Sequence, residues 1–313
     1  MKGLLVSATD AEALWRRSGS AMPVGGWLSE PSVAQRRRRL AKRLQWALRI
    51  ESWPPALWLA LQLVALWPVG LWAARRMSDG SDEPLGLVAL ALLVAAAATG
   101  RLACQASARL PWLAAALIAT VLSTAFIGVL PWLALAVLAA SALACAWAAF
   151  RSRGAALLPV LGLLWLALPV VASLQFYIGY PLRLLTAQCS AWLLQLAGLA
   201  ALPSGASLLL DGRLVIVDAP CSGVQLAWLG YCAACAVALW NGLGDARFLR
   251  RLPWVGATVL LGNIVRNTLL VAHEAGALPL PAWGHEAVGL ATLGVVCAVV
   301  LRLMRLESGH APG

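Results

Sequence analysis

The sequence predicts an all-α polytopic membrane protein. About eight transmembrane helices are expected, with a short extracytoplasmic interfacial helix and a β-hairpin before the helix that opens at Cys221. Three observations predict this. Of 313 residues, 61% are hydrophobic and only 12% charged. An ordinary soluble domain carries about 25% charged residues, so this chain cannot clothe a soluble globular surface, and its hydrophobicity equally excludes intrinsic disorder. The apolar runs are long, rich in Leu, Ala and Val, and do not alternate with polar residues. That excludes a transmembrane barrel and leaves helices, the other way of satisfying backbone groups in lipid. Finally, no Asp or Glu occurs between Glu83 and Asp211, as a long membrane-embedded stretch requires.

Residues 1–52 read as a cytoplasmic basic extension. Asp10 and Glu12 interrupt its start too soon for a signal peptide. The arginines at 36–39, with Lys42, Arg43 and Arg49, suit an anchor against anionic headgroups. Residues 53–174 supply five spans. The first, 53–74, is stopped by Arg75 and Arg76, and a polar turn follows. The next three are 85–104, 110–128 and 131–150. The fifth is 155–174, where Pro159 and Pro169 predict kinks.

Residues 175–220 carry Tyr177, Tyr180, Arg183, Gln188 and Gln195, which suits an extracytoplasmic segment lying in the outer interface. Its end reads LLLDGRLVIVD, two β-prone runs around Asp211-Gly212, a strong hairpin signal. Residues 221–305 supply the last three spans, 221–240, 252–272 and 285–303, with Arg247, Arg250 and Arg251 in the first loop between them. Residues 306–313 form a cytoplasmic tail.

The arginines choose the orientation. With eight spans, the loops holding Arg101/Arg109, Arg151/Arg153 and Arg247/Arg250/Arg251 all lie inside with Arg302 and Arg305. Only Arg75, Arg76, Arg183 and Arg213 fall outside, as the positive-inside rule asks. A ninth span at 184–202 would move the loop at 247–251 outside, so that segment is read as interfacial. The net charge of +11 does not mark a nucleic-acid binder. Most of the arginines sit singly or in pairs at the ends of apolar runs rather than on one face. Seven cysteines, an odd number without disulfide-type spacing, argue against a disulfide framework.

Three groups converge on the outer ends of the last spans. Cys221, in Ala219-Pro220-Cys221-Ser222-Gly223, opens a helix, where free backbone N–H groups and the positive helix end favour thiolate. Gly223 would let a substrate backbone approach closely. Arg266 lies on a face with Asn263 and Leu270, about 9 Å inside the outer end of its span. A charge held there needs a purpose or a partner, since it costs about 2.5–3.5 kcal/mol on insertion scales. His285, in Gly284-His285-Glu286, starts the last span, and His273 on the Arg266 face competes with it as acid/base. Thiolate, cation and imidazole are the parts of an acyl-transfer site. Neither His285-Glu286 nor His273-Glu274 has the second His of a zinc-protease motif, so no metal or cofactor is expected. Cys232-x-x-Cys235 lies about 16 Å down its helix and reads as packing.

At these residues the chain resembles the exosortase/archaeosortase family of multi-pass membrane cysteine transpeptidases. The resemblance covers about residues 170–300. It rests on Cys221-Ser222-Gly223, Asn263-x-x-Arg266, and His285 followed by Gly289, in that order and on the family's side of the membrane. It implies that Cys221 is the nucleophile, Arg266 the oxyanion-stabilising residue and His285 the acid/base. Ser222, Gly223, Asn263 and Arg213 are expected at the substrate. It further implies substrates that are secreted proteins with a C-terminal sorting signal: a short Pro-Glu-Pro type (PEP-CTERM-like) motif, an apolar helix and a basic tail. The setting it implies is the bacterial inner (cytoplasmic) membrane, with membrane lipid around the spans and the active site on the periplasmic side. A transporter using Arg266, Asn263 and Asn267, or a non-catalytic assembly factor for exopolysaccharide or other cell-surface export, are the alternatives.

Overall fold

The computed structural model describes residues 37–40, 42, 45, 53–105, 107–152, 154–210, 213–216, 223–279, 281 and 283–305. The chain divides into two compact units, Met1–Glu51 and Ser52–Gly313. In the first, residues 37–40, 42 and 45 are helical; the rest of the basic extension lies outside the described residues, as does the 306–313 tail.

Among the described residues, the second unit is helical with one small sheet. Its helices are α1 (Pro55–Ala65), α2 (Trp67–Ser78), α3 (Gly86–Ala98), α4 (Leu110–Ala125), α5 (Trp132–Phe150), α6 (Leu158–Leu166), α7 (Val171–Leu174), α8 (Tyr180–Leu196), α9 (Val224–Trp240), α10 (Asp245–Glu274) and α11 (Gly284–Met304). Proline stands in the opening positions of α1, α2, α4, α6 and α8. The missing N–H costs nothing there, because the first amides of a helix have no intrahelical acceptor.

Helix lengths refine the expected count of eight crossings. Among the described residues, only α5, α10 and α11 are individually long and apolar enough to cross a membrane, and two bent pairs bring the count to five at most. The predicted first span is broken: α1 and α2 meet at 68°. Pro68 stands in the first turn of α2, where its missing N–H and its ring prevent the α1 ladder from running on. The predicted fifth span is broken too. Pro159 does not kink it but sits in the first turn of α6. Pro169 lies just beyond α6, and the following arm, 171–196, leaves at 89°. α3, α4 and α9 are apolar but shorter, at 13, 16 and 17 residues.

The predicted loop at 241–251 is also shorter than expected. α10 already begins at Asp245 and runs 30 residues, through Pro253. Asp245 suits a helix start, and it does a second job. Its Oδ1 accepts from the amides of Leu157 and Leu158 at 2.7 and 2.8 Å, capping α6.

α6, α9, α10 and α11 pack into the main core around the buried Trp228, whose Nε1 donates to the Leu166 carbonyl at 3.2 Å. Small residues bring these backbones close, the usual basis of helix association where lipid removes the hydrophobic drive. A β-carbon at Gly162, Gly230 or Gly262 would stand 2.6 Å from Cys235 Sγ, Val259 Cγ2 or Val296 Cγ2.

The two ends of the bundle differ chemically. At one, Arg109 Nη2 donates to the Arg151 carbonyl at 2.7 Å, and Arg151 Nη1 lies 3.7 Å from Asp245 Oδ2. Arg251 Nη1 there donates to the carbonyls of Leu303 and Arg305 at 2.6 and 2.7 Å, closing the end of α11. The arginine-bearing loops therefore gather at one end, as their distribution predicts. α9 runs towards that end, α10 away from it and α11 back. Gly223, His273 and Gly284 consequently share the opposite end.

At this opposite end the segment predicted to be interfacial opens with a π-helical turn, Gln175–Gly179, continues as α8 and ends in an antiparallel sheet. The sheet has strands β1 (Ala201–Ser204), β2 (Ser207–Leu210) and β3 (Arg213–Ile216) in sequential order. Leu210 pairs with Arg213 across a two-residue connection at 211–212, the expected hairpin. β1 was not expected. It carries Pro203, which strands tolerate at an edge, and β1 is an edge strand. The sheet buries Leu208 and Leu210 with Ala187, Ala191 and Leu194 of α8 and Val271 of α10.

Candidate active site

Cys221 and Ser222 lie outside the described residues; description resumes at Gly223. That glycine caps the start of α9 with φ +84°. The left-handed conformation costs an L-residue roughly 1–2 kcal/mol. Space is as restrictive as the backbone. A β-carbon at Gly223 would lie 2.8 Å from Asn263 Cγ and 2.9 Å from its Nδ2. The turn following Cys221-Ser222 is thus pressed onto the Asn263 amide.

Asn263 and Asn267 are 2% and 3% exposed on one face of α10. α8 presents buried hydroxyls at the same four-residue spacing. Asn263 Nδ2 donates to Thr186 Oγ1 at 3.2 Å, and Asn267 Nδ2 donates to Ser190 Oγ at 3.0 Å. Ser190 Oγ reaches on to the Ile264 carbonyl at 3.4 Å. Buried polar groups must be paired to avoid a desolvation penalty of about 1–3 kcal/mol each. This two-rung ladder therefore fixes α8 against α10.

Arg266 stands one turn beyond Asn263 and is half-buried. Its Nε is buried and has no hydrogen-bond partner among the described residues. The guanidinium lies over Gly289 of α11, where a β-carbon would be 3.7 Å from Nε and 4.0 Å from Nη2. His285 precedes Gly289 by one helical turn, about 6 Å of rise, on the same face. It is exposed in the first turn of α11. A continuous path therefore leads from Gly223 through Asn263 and Arg266 to Gly289 and His285.

The competing histidine has a different setting. His273 Nδ1 lies 3.0 Å from the Leu278 carbonyl and ties the last turn of α10 to the loop after it. Arg213 belongs to β3 and pairs in register with Leu210. Cys232 and Cys235 are buried within α9, with Cys235 Sγ packed against Gly162.

Sequence reading passed over one neighbouring group. Gln225, in the first turn of α9, donates through Nε2 to Glu83 Oε1. The turn holding Glu83 is itself anchored. The buried Asp82 accepts from the Ala172 amide at 3.0 Å and from the Glu83 amide at 2.8 Å, with Arg76 Nε 3.8 Å from its Oδ2. The signal was available: Asp82 and Glu83 are the last acidic residues before Asp211.

Residues 72–302 match the family model described as Transmembrane exosortase (Exosortase_EpsH). The chain belongs to the transmembrane exosortase family. No curated protein and no solved structure matches it. The exosortase match begins in α2 and ends in α11, so it takes in α2–α5 as well as the 170–300 region that carries the sequence resemblance. Gly223, Asn263, Arg266, His285 and the Asp82–Glu83 turn all fall inside it.

Proposed function

We propose that this exosortase is a cysteine transpeptidase that removes C-terminal sorting signals from secreted proteins through a thioester on Cys221. In this reading His285 takes the thiol proton, and the Cys221 thiolate attacks the carbonyl carbon of the bond to be cut. Arg266 holds the oxyanion that forms. The intermediate then collapses, the C–N bond breaks, and His285 returns its proton to the departing amine. The acyl group stays on sulfur until an acceptor amine or water attacks the thioester, releases the protein and restores the thiol. A guanidinium held at developing negative charge, with its Nε out of water, does more than it would in bulk water.

The observation that carries this reading is the contact chain at one end of the bundle. The turn following Cys221 touches Asn263, and Arg266, one turn away, lies over Gly289, one turn from His285. Arg266 Nε, buried and without a hydrogen-bond partner among the described residues, can meet a substrate oxygen. The arginine-rich end is assigned to the cytoplasm and the site end to the periplasmic face of the inner membrane. Arg183, one turn before Thr186 on α8, and Arg213 on β3 are assigned to the acidic residue of the sorting motif.

The test is co-expression of a tailed secreted reporter with the wild type and with Cys221→Ala. Wild type should shorten the reporter and leave a hydroxylamine-sensitive adduct on Cys221, and Cys221→Ala should do neither. Tail removal by Cys221→Ala would end the proposal. Unchanged processing after charge reversal of both Arg183 and Arg213 would remove their assignment alone.

A further inference from the structure

Two cavities, of about 480 and 320 Å³, lie beside α9 and share the wall residues Ile178, Leu182, Ala227 and Tyr231. They form one groove between α6, the bent arm that becomes α8, α9 and α10. Its upper end reaches Gly223 and Asn263, and its lower end reaches Phe248 and Leu252 near the arginine-rich end. Measured along the helices, Val224 to Cys235 is about 16 Å and Phe248 to Asn263 about 22 Å. That is a large part of the roughly 30 Å hydrocarbon thickness. The walls are apolar almost throughout, and Asn263 at the top is the one amide side chain among the described residues that line them.

The groove opens sideways. Trp165, Ile178 and Leu249 form its rim and are 43%, 45% and 58% exposed. Large apolar side chains exposed at membrane depth face lipid, so an occupant enters from the bilayer, not from water. The bent arm creates this opening. Had the predicted fifth span continued straight, Ile178 and Leu182 would not overhang α9. The lining of the upper end is a glycine turn and a buried amide, with no cation among the described lining residues to hold a phospholipid headgroup.

We infer that this groove is the docking track for the apolar membrane-spanning helix of the polypeptide substrate. The inference rests on the peptidase reading above. The helix slides in past Trp165 and Leu249 and lies along α9. The residues just beyond its outer end then arrive at the Gly223 turn, beside Cys221 in the sequence. The track fixes the cutting distance: the bond that reaches the site is the one at a set rise above the apolar segment.

The experiment places photoreactive benzoylphenylalanine at Leu182 or Leu249, and at the exposed Val94 of α3 as control, all in the Cys221→Ala protein. The probe is a reporter ending in a short acidic-proline motif, an apolar helix of about 20 residues and a basic end. Crosslinks to the apolar helix from 182 and 249, at least tenfold above those from 94, are expected. Crosslinks to lipid alone, or no stronger than from 94, while the wild type still removes the tail, overturn the track and leave the peptidase reading standing. Strong crosslinks at 182 and 249 with no tail removal and no Cys221 adduct in wild type support the track and overturn the peptidase reading. As a second measurement, Ala227→Trp, which fills the shared wall, should lower tail removal at least tenfold at unchanged protein level and melting temperature. Val94→Trp should leave removal unchanged. Full activity of Ala227→Trp would overturn the track, and if that variant does not accumulate, the crosslinks decide.

Discussion

Asn263 of α10 closes against Gly223 at the mouth of α9, with 2.8 Å between its Cγ and the place a β-carbon would take. Two independent constraints thus act on one glycine: a left-handed backbone and a neighbour with no room to retreat. Asn263 cannot give way cheaply, because it is 2% exposed and bonded to Thr186. Gly223→Ala is therefore expected to displace the turn that follows Cys221 and to reduce tail removal at least tenfold. The backbone strain alone is roughly 1–2 kcal/mol, so the protein should still accumulate. Processing of a tailed reporter, normalised to protein level, is the measurement, and near-normal processing would detach this contact from activity.

The Arg266–Gly289 contact predicts a graded response. A β-carbon at Gly289 would sit 3.7 Å from Arg266 Nε, an ordinary van der Waals distance. Gly289→Ala should therefore keep most activity, whereas Gly289→Leu drives a branched side chain into the guanidinium and should abolish it. Arg266→Lys should fare badly even at Gly289, because a point charge does not reproduce the planar fork. Equal activity of the Ala and Leu variants would show that the guanidinium does not work from this position.

Much of this arrangement was legible in the sequence, for reasons that differ by residue. The apolar runs fixed helices because backbone in lipid has few alternatives, and Asp211-Gly212 announced its hairpin through turn chemistry. Asn263 and Arg266 were visible because polar groups in an apolar span are expensive. What escaped was what depends on tertiary partners. Thr186 and Ser190 look unremarkable on a helix until two asparagines face them at the same spacing. Pro169 did mark the break after α6, whereas Pro159, which looks like a second kink, begins a helix. Glu83 and Gln225 are 142 residues apart, and local pattern carries no trace of their pairing.

The ladder between α8 and α10 makes a stability prediction. Asn267→Ala leaves the buried Ser190 hydroxyl without its amide donor and should cost about 1–3 kcal/mol. Ser190→Ala orphans Asn267 to a similar extent. Asn267→Leu combined with Ser190→Ala replaces both partners by apolar groups and should recover a good part of the loss, since no buried polar group remains unpaired. Thermal unfolding in detergent would read this, and strictly additive losses in the double variant would argue against a direct pair.

Glu83 offers a separate test of the mouth of α9. Its carboxylate holds Gln225, and the turn around it is already fixed through Asp82 and Ala172. Glu83→Gln keeps an acceptor oxygen of nearly the same shape, so it should process a reporter within a few-fold of wild type. Glu83→Ala removes the acceptor and should reduce processing about tenfold, the size of one lost hydrogen bond to a charged group of roughly 1.5 kcal/mol. Glu83→Ala matching wild type would mean that Gln225 needs no holding.

The two histidines should separate by the kind of damage their loss does. His273 Nδ1 is engaged 3.0 Å from the Leu278 carbonyl, so its ring works within the fold of the α10 end. His285 is exposed one turn above Gly289, with Arg266 beneath. His273→Ala should therefore lower the melting temperature, by an amount consistent with one hydrogen bond of about 0.5–1.5 kcal/mol, while keeping tail removal within a few-fold. His285→Ala should leave the melting temperature unchanged and remove at least a hundredfold of the activity, the usual loss when an acid/base group is deleted (about 10²–10⁴). Adding imidazole to His285→Ala supplies a second readout, because an exposed position can be reached by a small base. Partial rescue there and none in His273→Ala is the expected pattern. The reverse pattern would move the proton-transfer role to His273 and require its ring to leave Leu278 during turnover.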